Sequence, residues 1–285
     1  MRNVITDFHA HAVPPWVIER REEINRNDEC FSLLYSDPRA KLATAEDIIR
    51  SMDECEIDKT VILNLSWQSH DLCVRTNDYI LESVARYPER LIGFCAIQAS
   101  SKDAAIIEIE RCARNGARGI GEIRPDMPGF DLRKTGLLID VVGALIEHRL
   151  ILLFHASEPV GHTYNGKGTA TPELLYPFIK SFPDLVIVCA HWGGGLPFYA
   201  LMPEVADVLN NVFFDSAATP FLYRPDIFRL VRDTVGSGKI LFGSDYPLLS
   251  PVRILSQIES AGLSEDEKTG VLGGNAERLL SSTGE

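Results

Sequence analysis

Four of the seven histidines of this chain stand where they could converge on one ion. The segment Asp7-Phe8-His9-Ala10-His11 spaces two imidazoles two residues apart, and residues i and i+2 of a strand point to the same side. His155 closes the apolar run Leu150-Ile151-Leu152-Leu153-Phe154, and His191 follows the run Leu185–Ala190. Two carboxylates hold comparable places, Glu122 in Gly119-Ile120-Gly121-Glu122-Ile123-Arg124 and Asp245 in Phe242-Gly243-Ser244-Asp245-Tyr246-Pro247. Each residue alone has an ordinary explanation: a histidine after an apolar run is more often a hydrogen-bonded core or rim residue, and Asp245 could cap a turn. The coincidence is the signal. Neutral imidazoles with carboxylates and no thiolate suit Zn²⁺ or a similar borderline divalent ion. Such an ion brings the pKa of a bound water to about 7 and makes hydroxide available at neutral pH. Asp245 beside that water could ligate the ion and also accept the proton, while a histidine off the ion could polarise the substrate or protonate a leaving group.

Elements that would position these residues recur along the whole chain. Strands are expected at Asn3–His9, Lys59–Leu65, Leu91–Ile97, Arg118–Ile123, Leu150–His155, Leu185–Ala190, Val212–Asp215 and Ile240–Gly243. Several are apolar on both faces, as in a parallel sheet covered by helices. Between them lie helix patterns: Thr44-Ala45-Glu46-Asp47 reads as a capping box ahead of Ile48, and Asp103–Asn115 stops at Gly116. Lys134–His148, Pro172–Phe182, Pro197–Asn210, Pro225–Val235 and Pro251–Ala261 complete the set, several starting at a first-turn proline. Eight strands alternating with helices predict an α/β fold, a single (β/α)₈ TIM barrel over 1–285 with a long loop insertion after the first strand, between Ala12 and Asp58. A doubly wound sheet is the alternative; no Gly-x-Gly-x-x-Gly or P-loop supports its nucleotide-binding versions. The candidate ligands fall at C-terminal strand ends, the face on which barrel enzymes build their sites.

Composition narrows the partners. A net charge of −12 opposes gripping nucleic acid or anionic lipid, so a small-molecule substrate is expected, with no nucleic acid and no membrane; a homo-oligomer is left open. The six cysteines are scattered, and Cys95 and Cys189 sit in apolar runs as small buried hydrophobes. No signal peptide or membrane span is recognised, and the expected location is the cytoplasm.

Taken together, Asp7-Phe8-His9-Ala10-His11, His155, His191, Gly243-Ser244-Asp245-Tyr246-Pro247 and the closing Gly274-Asn275-Ala276-Glu277-Arg278-Leu279 resemble the amidohydrolase superfamily. Within it they are similar to the amidohydrolase 2 branch of TIM-barrel metal-dependent hydrolases, over essentially the full chain. The resemblance implies that His9, His11, His155 and Asp245 are metal ligands, and that His191 is either a ligand to a second ion or a catalytic residue beside the first. The branch contains hydrolases, decarboxylases and hydratases. Single-metal decarboxylase-type members generally lack a ligand at the position of Glu122, whereas two-metal relatives resemble this chain there. A bridging Glu122 would make a two-ion site with His155 and His191; the alternative is that Glu122 pairs with Arg124 or another basic neighbour.

The stretch Ala156–Gly168 is polar, Gly-rich and long enough to act as a lid. His162, Tyr164 and Lys167 within it, and Arg124 beyond the fourth strand, are candidate contacts to an anionic or carbonyl-bearing substrate; a solvated loop and an Arg124–Asp126 pair are the plain alternatives. Trp67 and His70 could line the same mouth or only pack its rim, and Trp192-Gly193-Gly194-Gly195 would let backbone approach the site. The leading expectation is a hydrolase in which a metal-activated water attacks an amide, ester or lactone of a small carboxylate-bearing substrate, with Asp245 and His191 handling protons. A metal-dependent decarboxylase or hydratase with one ion is the alternative. A nuclease fits the acidic composition poorly, and a non-catalytic barrel would be expected to have lost part of the ligand set.

Overall fold

Eight parallel strands pair in chain order: β1 (Thr6–His11), β2 (Lys59–Leu63), β3 (Leu91–Cys95), β4 (Gly119–Ile123), β5 (Ile151–Phe154), β6 (Ile187–Cys189), β7 (Val212–Asp215) and β8 (Ile240–Leu241). This computed structural model describes residues 3–127 and 129–283. The last strand returns to the first: the Phe8 N–H donates to the Phe242 carbonyl at 2.7 Å and the Asp245 N–H to the His9 carbonyl at 2.9 Å. With helices between successive strands, this is the (β/α)₈ barrel that the sequence predicts.

The apolar strands are buried on both faces for the expected reason. Val61, Leu63, Ile151, Leu153 and Val188 meet Phe8 and Phe94 inside the barrel, where the two phenyl rings stand edge to face with centroids 5.8 Å apart. Their neighbours Ile62, Leu152, Phe154, Ile187 and Cys189 pack outward against helix residues such as Ile109, Leu145 and Phe178. The capping box forms, with the Thr44 hydroxyl accepting from the Asp47 N–H and the Asp47 carboxylate from the Thr44 N–H; such a cap contributes about 1 kcal/mol. All six cysteines are free, and Cys95 and Cys189 are buried.

Four expectations change. β1 begins three residues later than read and runs through His11, so both histidines belong to the strand, above a register shift between Asp7 and Ala10. The insertion after β1 is largely helical rather than a loop: Pro15–Glu19, Arg21–Asn27 and Glu29–Tyr35 precede the helix Ala45–Glu54. No helix spans Pro197–Asn210. His191 to Gly195 instead take five successive positive φ angles of 53, 59, 58, 60 and 92°, and only a tight turn to Leu201 and the short helix Pro203–Ala206 follow. Finally, the longest helix, His70–Arg86, escapes the sequence reading because its buried face carries Thr76, Asn77 and Ser83 among Cys73, Ile80 and Leu81, which blurs the apolar period. Among the described residues no helix is long and apolar enough to cross a membrane.

Two glycines separate backbone need from chance. A Cβ on Gly194 (φ +60°) would lie 2.2 Å from the buried Ser157 carbonyl oxygen, whereas a Cβ on Gly136 meets nothing within 4 Å. Gly194→Ala is therefore expected to destabilise the protein by at least about 2 kcal/mol in urea unfolding, combining left-handed strain with a backbone clash. Gly136→Ala, in the helix Thr135–Glu147, should stabilise it by up to about 1 kcal/mol.

Candidate metal centre

The C-terminal ends of six strands bring His9 and His11 (β1), Glu122 (β4), His155 (after β5), His191 (after β6), Asp215 (β7) and Asp245 (after β8) into one buried cluster. Three overlapping triads have their donor atoms within 4.8 Å of one another: His9–His11–Glu122, His9–His191–Asp245 and Glu122–His155–His191. All six sequence-predicted donors thus meet.

Hydrogen bonding fixes which atom each donor offers. A carboxylate oxygen only accepts, so the 2.8 Å contact between His9 Nδ1 and Asp215 Oδ2 places a proton on Nδ1 and leaves Nε2 facing the cluster. Likewise the His191 Nδ1–H donates to the Ala217 carbonyl at 3.2 Å, which turns Nε2 toward Glu122 Oε1 at 3.3 Å. The His155 Nδ1–H donates to the same Oε1 at 3.0 Å, a proton that an ion held by His155 would displace, and its Nε2 meets the Ser157 hydroxyl at 3.1 Å. The other oxygen of Glu122 lies 3.5 Å from His11 Nε2, as does Asp245 Oδ1. Arg124 does not pair with Glu122; its guanidinium sits 3.3 Å from Asp126 and donates to the Gly166 carbonyl at 2.7 Å.

Burial and neighbouring charge set the protonation of the metal-free cluster. Desolvation alone would lower the pKa of His9, but the Asp215 carboxylate outweighs it and raises the group to about 9. Desolvation likewise opposes protonation of His191, yet Glu122 and Asp245 lift it to about 10. His155 goes the other way, to about 4, through desolvation and the nearby Arg124 charge. Against their own desolvation, Glu122 is held well below the usual carboxylate range chiefly by His155, and Asp245 is held at about 2 chiefly by His11 and His9.

The donor set fits a divalent ion. The Nε2 atoms of His9 and His11 approach to 3.2 Å, and two imine lone pairs at that distance repel unless a proton or a cation stands between them. Among the described residues His11 Nδ1 is buried with no hydrogen-bond partner, so none of them fixes that ring from behind. Imidazoles and carboxylates without thiolate match Zn²⁺, Mn²⁺ and related ions.

A cavity of about 410 Å³ opens above this floor. Arg124, His162 and Tyr164 line it. Lys167 does not: its ammonium turns back onto the carbonyls of Val160 and His162, at 2.7 and 3.1 Å. Trp67 and His70 are also absent from the wall; Trp67 stacks on Phe31 in a separate small core, and His70 begins a helix. The sequence reading missed Asp215 and the cavity residues Leu34, Tyr35, Lys41, Phe221 and Leu248. A strand-end aspartate after Val212-Phe213-Phe214 was the only signal for the first, and the others come from crossovers with no distinguishing spacing.

Comparison with known proteins supplies the context. A model of the amidohydrolase family matches residues 6–281. The gamma-resorcylate decarboxylase of Polaromonas sp. is 25% identical over 296 residues, covering 85% of this chain and 89% of the relative. Two solved structures share the fold. The 5-carboxyvanillate decarboxylase of Novosphingobium aromaticivorans, complexed with manganese and 4-hydroxy-3-methoxy-5-nitrobenzoic acid, is 18% identical with a TM-score of 0.77 over 98% of this chain and 96% of its own. The dihydroxybenzoic acid decarboxylase of Polaromonas sp., with bound manganese and the inhibitor 2-nitroresorcinol, is 19% identical with a TM-score of 0.72 over 98% and 97%.

The raised histidines give a pH test. With pKa values of about 9 and about 10, His9 and His191 hold protons at pH 7; a cation binding at His9 Nε2 must expel the proton there, whereas His191, off the ion, keeps its own. Calorimetric titration of the metal-free protein with Mn²⁺ in buffers of different ionisation enthalpy should show proton release, and affinity should rise from pH 6 to 8.5 by up to roughly tenfold per pH unit for each proton released. In the metal-free protein the sign is opposite for stability: the contribution of these protons is full below the ordinary value of about 6.5 and is lost as pH rises through about 9 to 10.

Proposed function

This chain belongs to the amidohydrolase family, and from that premise we propose that it is a divalent-metal-dependent decarboxylase acting on a small, hydroxylated aromatic carboxylate. The observation that carries the reading is the union of two features in one cavity: a floor of converging imidazoles and carboxylates, and a wall that includes Leu34, Tyr35, Phe221, Leu222 and Leu248. A planar, amphipathic acid suits that combination. Support comes from the relatives, which include gamma-resorcylate, 5-carboxyvanillate and dihydroxybenzoic acid decarboxylases. Hydrolysis, the leading sequence expectation, gives way to the lyase alternative on these grounds, and the manganese of the two solved structures makes Mn²⁺ the first ion to test ahead of Zn²⁺.

The residues in hand fit the chemistry. His9, His11, His155 and Asp245 would hold the ion, which would supply positive charge to orient the substrate's oxygens and stabilise a deprotonated ring hydroxyl. Arg124 is buried in the cavity wall with Nε unpaired, a fixed positive charge suited to an anionic substituent. The apolar wall disfavours a charged carboxylate relative to neutral carbon dioxide. His191 carries its transferable proton at Nε2, because Nδ1–H is committed to Ala217. Protonation of the ring carbon that bears the carboxylate forms the new C–H bond; the C–C pair then returns to the ring, carbon dioxide leaves, and a proton from water restores His191.

One observation favours the hydrolase as a second reading. The two oxygens of Glu122 face different triads, Oε2 toward His11 and Oε1 toward His155 and His191, as a carboxylate shared by two ions would.

Three measurements decide between these readings. Incubation with a panel of hydroxybenzoates should release carbon dioxide, stop after chelation and resume with Mn²⁺; cleavage of esters or lactones without carbon dioxide release would establish the hydrolase instead. His191→Gln should lower kcat by roughly 10²–10⁴ with metal content unchanged. Metal analysis should give one ion per chain for both the parent and Glu122→Gln; two ions in the parent falling to one in the variant would support hydrolysis.

A further inference from the structure

Asp215 is fully buried at the end of β7 and touches three other segments of the centre. Its Oδ2 accepts the His9 Nδ1–H at 2.8 Å. Its Oδ1 accepts two main-chain donors, the His191 N–H and the Ala217 N–H, each at 3.0 Å. One carboxylate therefore spans β1, the turn after β6 and the turn after β7. The His191 carboxylate contact falls where the backbone enters its left-handed run at φ +53°, a conformation that costs a non-glycine residue about 1 kcal/mol or more and persists only when its surroundings fix it. Ala217, the other donor, returns its carbonyl to His191 Nδ1 at 3.2 Å, so the same carboxylate orients both the main chain of His191 and the group that holds its ring.

We propose that Asp215 is the positioning residue of the centre: it sets the His9 tautomer so that Nε2 presents a lone pair, and it anchors the turn from which His191 reaches the cluster. The inference rests on the reading of this cluster as a divalent-metal site. Its logic is that a ring nitrogen can ligate only when unprotonated, and that the partner of the opposite nitrogen decides which one that is. In Asp215→Asn the amide oxygen can still accept both main-chain N–H groups, but the amide NH₂ now faces His9. Nδ1 must then accept, the proton moves to Nε2, and an N–H points at the centre. The substitution is nearly isosteric and changes proton placement rather than packing.

The experiment compares Mn²⁺ binding, read by the EPR signal of free Mn²⁺, in the parent, D215N, H9A and the double variant. D215N is expected to melt within about 4 °C of the parent while binding Mn²⁺ roughly 10- to 100-fold more weakly. In the H9A background the same change should cost less than about twofold, since an effect exerted through His9 has no further route. Parent-like affinity in D215N, or a full additional loss in the H9A background, overturns the proposal. A second measurement needs no substitution of Asp215: in the Zn²⁺-loaded parent protein, ¹⁵N-histidine NMR should show His9 protonated at Nδ1 and coordinated at Nε2, and the reverse pattern overturns it equally. If the parent binds neither ion, the metal-site reading fails and this inference with it; if the parent binds and D215N binds as well, only the role of Asp215 fails.

Discussion

Buried charge has to be answered by buried charge, and this molecule meets that requirement at the mouth of its barrel. Glu122, Asp215, Asp245, His9, His155 and His191 are all buried, where an uncompensated ion would be costly. Their mutual contacts, from 2.8 Å for His9 and Asp215 to 3.7 Å for His9 and Asp245, are what make the arrangement tolerable. Without a metal, protons on His9 and His191 provide the counter-charge. Strand ends are suited to hold such a cluster because each side chain leaves a backbone already fixed by neighbours on both sides, which limits the relaxation that would otherwise scatter the donors.

Much of this is legible in the sequence. The apolar runs mark parallel strands because both of their faces must be covered, and the donors stand out because polar residues interrupt those runs at one end only. His9 and His11 needed no more than the two-residue strand period. What stayed hidden shares a different physical character. Asp215 follows Val212-Phe213-Phe214 much as a turn residue would, and its importance arises from contacts with residues 206 positions earlier and 24 positions earlier in the chain. The helix His70–Arg86 hides its period because Asn77 is buried in hydrogen bonds to the Ala96 carbonyl and Glu108. The expected helix from Pro197 yielded to a glycine-rich left-handed turn, whose need for glycine at Gly194 is set by the distant Ser157 backbone. Lys167 had the right chemistry for the cavity, but short local acceptors captured its ammonium.

The functional reading rests on two layers with different information. The cluster specifies what kind of ion and proton chemistry the centre can support, and its residues come from strand ends. The wall specifies what can approach, and its residues come from the crossovers: Leu34 and Tyr35 from the helix Glu29–Tyr35, Phe221 from the helix Thr219–Leu222, and His162 and Tyr164 from the segment after β5. A family label informs the first layer more than the second, so hydrolysis and decarboxylation have to be separated by the wall, by the placement of protons and by the part played by Glu122.

The short helices between Pro15 and Tyr35 carry this division into evolutionary terms. They lie in the same crossover that leaves β1 just after His11, yet they build a small apolar core of their own with Val17, Phe31 and Trp67. Drift within that segment can reshape one side of the cavity while the barrel strands and their donors keep their folding contacts. Descendants of such a chain would then exchange one small substrate for another by rewriting a peripheral module, and the ancestral centre beneath it would persist unaltered.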